Sequence, residues 1–113
     1  MAYTETASEF FQRLGGDLPA FQSVGGVFQF EIEGEAGGTW AVDLDNGTIQ
    51  AGDVDSHGKT AQALIRARER DFMALVEGRM SAQDGLLTER LHVAGDVGQL
   101  VKMIDTFEQL RSA

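Results

Sequence analysis

Over residues 26–51 apolar and polar side chains alternate with a period of two, and this limits the possible folds more than any other feature. Phe28, Phe30 and Ile32 alternate with Gln29, Glu31 and Glu33. Beyond the glycine-rich stretch 34–38, Trp40, Val42 and Leu44 alternate with Ala41, Asp43 and Asp45. Successive strand side chains point to opposite faces, so each segment predicts a strand with one greasy and one wet side. Asn46-Gly47 predicts a type I′ hairpin, which requires positive φ at both central residues. A third strand follows, with Ile49 and Ala51 on the apolar face and Thr48 and Gln50 opposite. Three antiparallel strands with an acidic, wet outer face need helices on one side only.

The flanking segments supply those helices. Thr6 and Glu9 form a capping box ahead of Ala7, Phe10, Phe11, Leu14 and Leu18, which recur at helical spacing. Gly15-Gly16 can end this helix, with Asp17 and Pro19 starting another turn. After the polar loop 52–58, Ala63, Ile65 and Ala67 alternate with Leu64, Arg66 and Arg68 as a fourth strand. Helices are expected over 71–77, stopped by Gly78, and from the cap Ser81 to Leu87. Leu91 and Val93 face inward on a fifth strand. The last helix starts at Asp96 with Gln99 as capping partner, and its stripe is Val97, Leu100, Val101, Met103, Ile104, Phe107 and Leu110. Together these elements predict a two-layer sandwich of sheet and helices, in one domain spanning 1–113.

Charge and composition exclude several classes of function. The net charge is −9, and residues 66–90 are neutral, with five arginines against five carboxylates; the rest of the chain carries the whole imbalance. That field repels phosphate backbones and anionic lipid surfaces, which argues against nucleic-acid partners and electrostatic membrane docking. No apolar run approaches the roughly 18 residues of a membrane span, so no stable membrane insertion is expected. The polar, acidic N-terminus does not read as a secretory signal, and a cytoplasmic protein is the expectation. With no cysteine there is no disulfide framework, thiol nucleophile or thiolate metal site.

The polar constellations read as structure rather than chemistry. The run Asp43-Leu44-Asp45-Asn46-Gly47 resembles a calcium loop superficially, but the glycine comes one position early and Val54 stands where a bidentate glutamate belongs. Asp53, Asp55 and His57 share a loop without a further ligand nearby in sequence, and His92 faces away from Leu91 and Val93. There is no nucleophile elbow, phosphate loop or dinucleotide fingerprint. No catalytic set, metal or cofactor is expected. The apolar stripes read first as plain core. Two details point instead to a cavity: the small inward residues Ala51, Ala63 and Ala67, and Met73, Met80 and Met103 in the covering helices, since methionine adapts to changing contents.

Four blocks carry a family resemblance: Gly-Val-Phe-Gln-Phe-Glu-Ile-Glu-Gly (26–34), Thr-Trp-Ala-Val-Asp-Leu (39–44), Asp-Phe-Met-Ala-Leu-Val-Glu-Gly-Arg-Met (71–80) and Leu-His-Val-Ala-Gly-Asp (91–96). In this order they resemble the sterol carrier protein type 2 family across roughly residues 5–110. The resemblance implies an α+β, two-layer sandwich: a five-stranded mixed, mostly antiparallel sheet with helices covering one face. It also implies non-catalytic binding and intracellular carriage of a sterol, fatty acid or other lipid in an apolar tunnel between the layers. Gln62 stands where family members usually carry an aspartate, so the turn before the fourth strand is expected to differ. The acidic charge and the ending Arg111-Ser112-Ala113 suit a stand-alone, bacterial-type member without a peroxisomal signal. Phe72, Leu75, Val76, Met80, Leu86, Leu87, Met103 and Phe107 are the expected tunnel lining, over a floor of Phe28, Phe30, Trp40 and Val42. Arg79 or Arg90 is the expected head-group partner, and the last helix, held by side chains alone, the expected gate. The alternative is an interaction or accessory module, docking a protein partner or presenting a hydrophobic intermediate to a separate enzyme. The pattern carries no signal for oligomeric state.

Overall fold

The structure is a computed structural model that describes residues 6–16, 24–35 and 37–112, with side chains to residue 106. Helix α1, Ala7–Leu14, begins at the expected capping box: the Glu9 N–H donates to the Thr6 hydroxyl (3.2 Å), and Glu9 Oε1 accepts from the Thr6 N–H (3.0 Å). Its buried face is Ala7, Phe10, Phe11 and Leu14. Leu18, Asp17 and Pro19 lie outside the described residues.

Strands β1 (Val27–Glu33), β2 (Gly38–Asp43), β3 (Thr48–Ala51), β4 (Ala63–Arg68) and β5 (Leu91–Gly95) form one sheet in the order β3-β2-β1-β4-β5. Only β1 and β4 pair in parallel, so the sheet is mixed and mostly antiparallel. The register stacks the expected inner face in rows: Phe28 beside Val42 and Ala63, Phe30 beside Trp40 and Ile65, Ile32 beside Ala67. Helices α2 (Glu69–Val76), α3 (Ala82–Leu87) and α4 (Val97–Ser112) join α1 in the second layer. The fold expected from the resemblance is the one observed.

Three local expectations are corrected. The β2–β3 hairpin is not type I′, because Glu89 is the one non-glycine residue with positive φ among those described. Asp43 decides the turn. Its carboxylate accepts from the Asn46 N–H (3.0 Å) and side-chain amide (2.7 Å), tying Asn46 back and leaving Gly47 alone at φ +70°. In α4, Val97 and Val101 are 43% and 38% exposed, and the buried stripe is Leu100, Met103 and Ile104, with the side chains of Phe107 and Leu110 outside the described residues. Gln99 does not return to its own cap. Asp96 Oδ1 accepts from the Gln99 N–H (3.0 Å), while the Gln99 amide reaches the carbonyls of Val24 and Gly25.

The outer sheet face is also not simply wet. β3 lies at one edge and β4 is separated from it by two strands, with helices covering the inner face, so the 52–62 connection crosses the outer one. Its backbone polar groups then need partners. Gln29 Oε1 accepts from the Val54 N–H (3.0 Å), and Lys59 forms an ion pair with Asp43 (2.8 Å). Val54, Ala41 and Gln29 are consequently buried. The connection closes at Gln62, whose N–H donates to the Val27 carbonyl (2.7 Å) and whose carbonyl accepts from the Asp96 N–H (2.9 Å). Gly95 makes that approach possible: its φ is +92°, and a Cβ there would lie 2.3 Å from the Gln62 carbonyl oxygen.

Two outcomes follow. Gly95→Ala combines a left-handed backbone with a backbone clash and is expected to destabilise by about 1–3 kcal/mol in urea unfolding. For Asp43, burial pushes the carboxyl pKa up, but the Lys59 hydrogen bond, the two Asn46 hydrogen bonds and the Lys59 charge outweigh it and hold it at about 2. The unfolded value is about 3.9. A depressed folded pKa contributes stability that is whole above about pH 4 and disappears as the pH falls through about 2, here roughly 2 kcal/mol. The stability gap between wild type and Asp43→Asn, followed by urea unfolding from pH 6 to pH 2, should close over that window.

Candidate functional site

The space between sheet and helices is organised around Phe11. Its ring stacks on Trp40 (centroids 5.1 Å apart, planes at 17°) and on Phe72 (5.4 Å, 11°), and meets Phe30 (5.2 Å, 65°) and Phe10 (5.5 Å, 75°) edge-on. Phe72 also contacts Phe10 and Phe30 edge-on, at 5.5 Å and 5.7 Å. α1, α2, β1 and β2 thus meet in one aromatic cluster, in geometries that gain beyond simple area burial. The start of α1 is pinned to the start of α2, since the Ala7 N–H donates to Glu69 Oε2 (2.9 Å) across 62 residues of chain.

Of the expected lining and floor, Phe28, Phe30, Val42, Phe72, Leu75, Val76, Met80 and Met103 are buried together in this apolar interior, with Trp40 and Leu86 partly buried against it. Leu87 is a correction: it is 74% exposed. On α3 the inward position belongs to Gly85, which packs so closely on Leu91 that a Cβ there would lie 2.6 Å from Leu91 Cδ1. The helix approaches by its smallest residue, and Leu87 is rotated outward. The side chain of Phe107 lies outside the described residues.

Ala63 and Ala67 are each 2% exposed, so the inner face of β4 is covered. Ala51 is exposed, lying on the edge strand. Phe10, Phe11, Leu100 and Ile104 belong to the same interior but not to the expected site. Their helical spacing is visible in sequence; that α1 lies against α2 is not.

The polar groups are engaged elsewhere. Arg79 is paired with Glu77 through Nη2 (2.5 Å) and Nε (3.0 Å). Arg90 borders a polar concavity of about 550 Å3 at the end of the sheet, shared with Glu33, Arg68, Arg70, Asp71 and His92. The His57 Nε2 lies 3.0 Å from the Ala51 carbonyl, and Asp53 accepts from the Ser56 N–H (2.8 Å), so that loop is internally bonded. No group of three His, Cys, Asp or Glu side chains suited to a metal occurs among the described residues. One buried donor stands apart among the described residues: the Trp40 indole N–H is shielded from solvent and has no hydrogen-bond partner there. Leaving such a donor unpaired costs about 1–3 kcal/mol.

Residues 8–108 match the SCP-2 sterol transfer family. The chain belongs to that family. It is 34% identical over 85 residues to "Sterol carrier protein 2" of Gallus gallus, an alignment covering 73% of this chain and 15% of that protein. The chain therefore matches only a small part of these relatives' length. Among solved structures, it resembles the apo sterol carrier protein 2 of Yarrowia lipolytica with TM-score 0.75 and 21% identity, over 99% of this chain and 98% of that one. It resembles sterol carrier protein 2 of Aedes aegypti, in complex with the C16 fatty acid palmitate, with TM-score 0.66 and 18% identity over 91% and 98% of the two chains. Among the described residues no helix is long and apolar enough to cross a membrane.

The burial pattern separates two substitutions sharply. Phe72→Ala removes a fully buried ring at the centre of the cluster and is expected to cost about 3–5 kcal/mol. Leu87→Gln is expected to stay within about 0.5 kcal/mol of wild type, and paired thermal melts would show the contrast.

Proposed function

We propose that this chain is a cytoplasmic, non-catalytic carrier that binds a sterol, fatty acid or other lipid between its sheet and helices. The observation that carries this reading is the apolar interior spanning both layers of a family fold, walled by Phe28, Phe30, Val42, Phe72, Leu75, Val76, Met80 and Met103, with Trp40 and Leu86 at its margin. The palmitate complex of the Aedes aegypti protein supports it by analogy of fold.

Under this reading the ligand displaces contacts among the described side chains. The driving force is burial of ligand hydrocarbon, about 0.8 kcal/mol per methylene, or about 13 kcal/mol gross for a sixteen-carbon chain. Association costs of about 4–15 kcal/mol offset much of that, as does separation of the aromatic contacts, leaving micromolar or weaker affinity. The first turn of α4 is a hinge in this account rather than the gate. It is fixed by the Asp96 N–H on the Gln62 carbonyl and by Gln99 on Val24 and Gly25. Motion then falls to the rest of α4, whose described inward residues are Leu100, Met103, Ile104 and Thr106. Met73, Met80 and Met103 can re-form contacts around a guest at low cost.

A second reading is favoured by a separate observation. Leu87, Val97 and Val101 are exposed apolar side chains on α3 and α4, and suit docking of this carrier on an enzyme that consumes its ligand.

Native mass spectrometry of freshly purified protein tests the carrier. Lipid-mass adducts that vanish on denaturation are expected, and their absence even after saturating lipid addition would end the proposal. Met103→Trp should overfill the interior, lowering stability by about 1–3 kcal/mol and reducing lipid capture in the same assay.

A further inference from the structure

The unpaired indole of Trp40 has a specific setting. Trp40 lies on the inner face of β2, stacked on Phe11, with Ala51 of the edge strand β3 as its cross-strand neighbour. Two residues earlier on the same face stands Gly38, with φ +131°, and a Cβ built on it would lie 3.6 Å from the indole nitrogen. The donor therefore points along its strand to a corner of the sheet whose inner-face neighbours, Gly38 and Ala51, are both small and exposed. One side of this corner is the aromatic interior; the other is the sheet edge.

A buried N–H in a native interior nearly always has an acceptor. Here no described residue supplies one, while the stacked Phe11 ring supplies an apolar wall beside the donor. We propose that the Trp40 indole N–H binds the oxygen at the polar end of the carried lipid, with the hydrocarbon running inward over the Phe11 and Phe72 rings. This rests on the carrier reading and adds a ligand class to it. The donor is uncharged and the chain carries net charge −9, whereas a desolvated carboxylate requires a cationic partner. The matching oxygen is neutral: the hydroxyl of a sterol or long-chain alcohol is preferred to a fatty-acid carboxylate.

Trp40 is the sole tryptophan, so the full chain gives one indole N–H signal in a 1H–15N spectrum. The probes are hexadecan-1-ol, palmitate and hexadecane, delivered from cyclodextrin to wild type and to Trp40→Phe. Hexadecan-1-ol should move the indole proton downfield and hexadecane should not. The substitution should weaken hexadecan-1-ol binding by several-fold to about tenfold while leaving hexadecane unchanged. If all three bind but Trp40→Phe affects them equally and the indole proton does not move downfield, this assignment is overturned and the carrier reading stands. If the substitution weakens palmitate more than the alcohol, the preference for a neutral oxygen is wrong. If none of the three binds wild type, the carrier reading falls with it. The wild-type indole signal needs no variant, so the assignment is tested even if Trp40→Phe does not fold.

Discussion

Burial of one apolar sheet face beneath the ring of Phe11 is the interaction on which the rest of the molecule depends. Among the described residues Phe11 alone meets Phe10, Trp40, Phe30 and Phe72, and so joins α1, α2 and the antiparallel strands β1 and β2. The strands could pair without it, but a sheet with a greasy face is not stable in water until that face is covered. The cover is positioned by few polar contacts. Glu69 seats the start of α1, and Asp96 and Gln99 seat the start of α4. Directional bonds fix where these helices begin, while side-chain packing decides how closely they lie on the sheet.

That division has a functional consequence. Helices held down mainly by dispersion and apolar burial can lift and re-form contacts against a hydrocarbon of similar chemistry, since neither arrangement strands a backbone group. The outer face behaves differently. There the 52–62 connection is bonded through Gln29, Asp43 and Lys59, so the sheet is braced from behind. A rigid platform under an adaptable apolar cover suits a binding role, and the buried methionines lie in the adaptable part.

Much of the architecture was legible in local pattern. Phe28, Phe30 and Ile32 announced β1 and its face, and the Thr6–Glu9 box announced the start of α1. Such features are legible because they depend on residues two to four positions apart. The hairpin departs from the type I′ pattern of Asn46-Gly47 because the Asp43 carboxylate reaches forward three residues and holds Asn46 out of the left-handed region. Leu87 turns outward because α3 is too short for periodicity to fix its rotation, which is set by the contact of Gly85 with Leu91.

By itself the sequence determined the strands, the helices, the buried faces of α1 and β1, and the family, because these follow from side-chain periodicity and local motif. The tertiary structure alone decided that Gly85 rather than Leu87 faces inward on α3, that Val54 closes the outer face, and that the Trp40 N–H is buried without an acceptor among the described residues. Each of those depends on what lies opposite a residue in space. Chain connectivity says little about that until burial of the apolar face forces distant segments together.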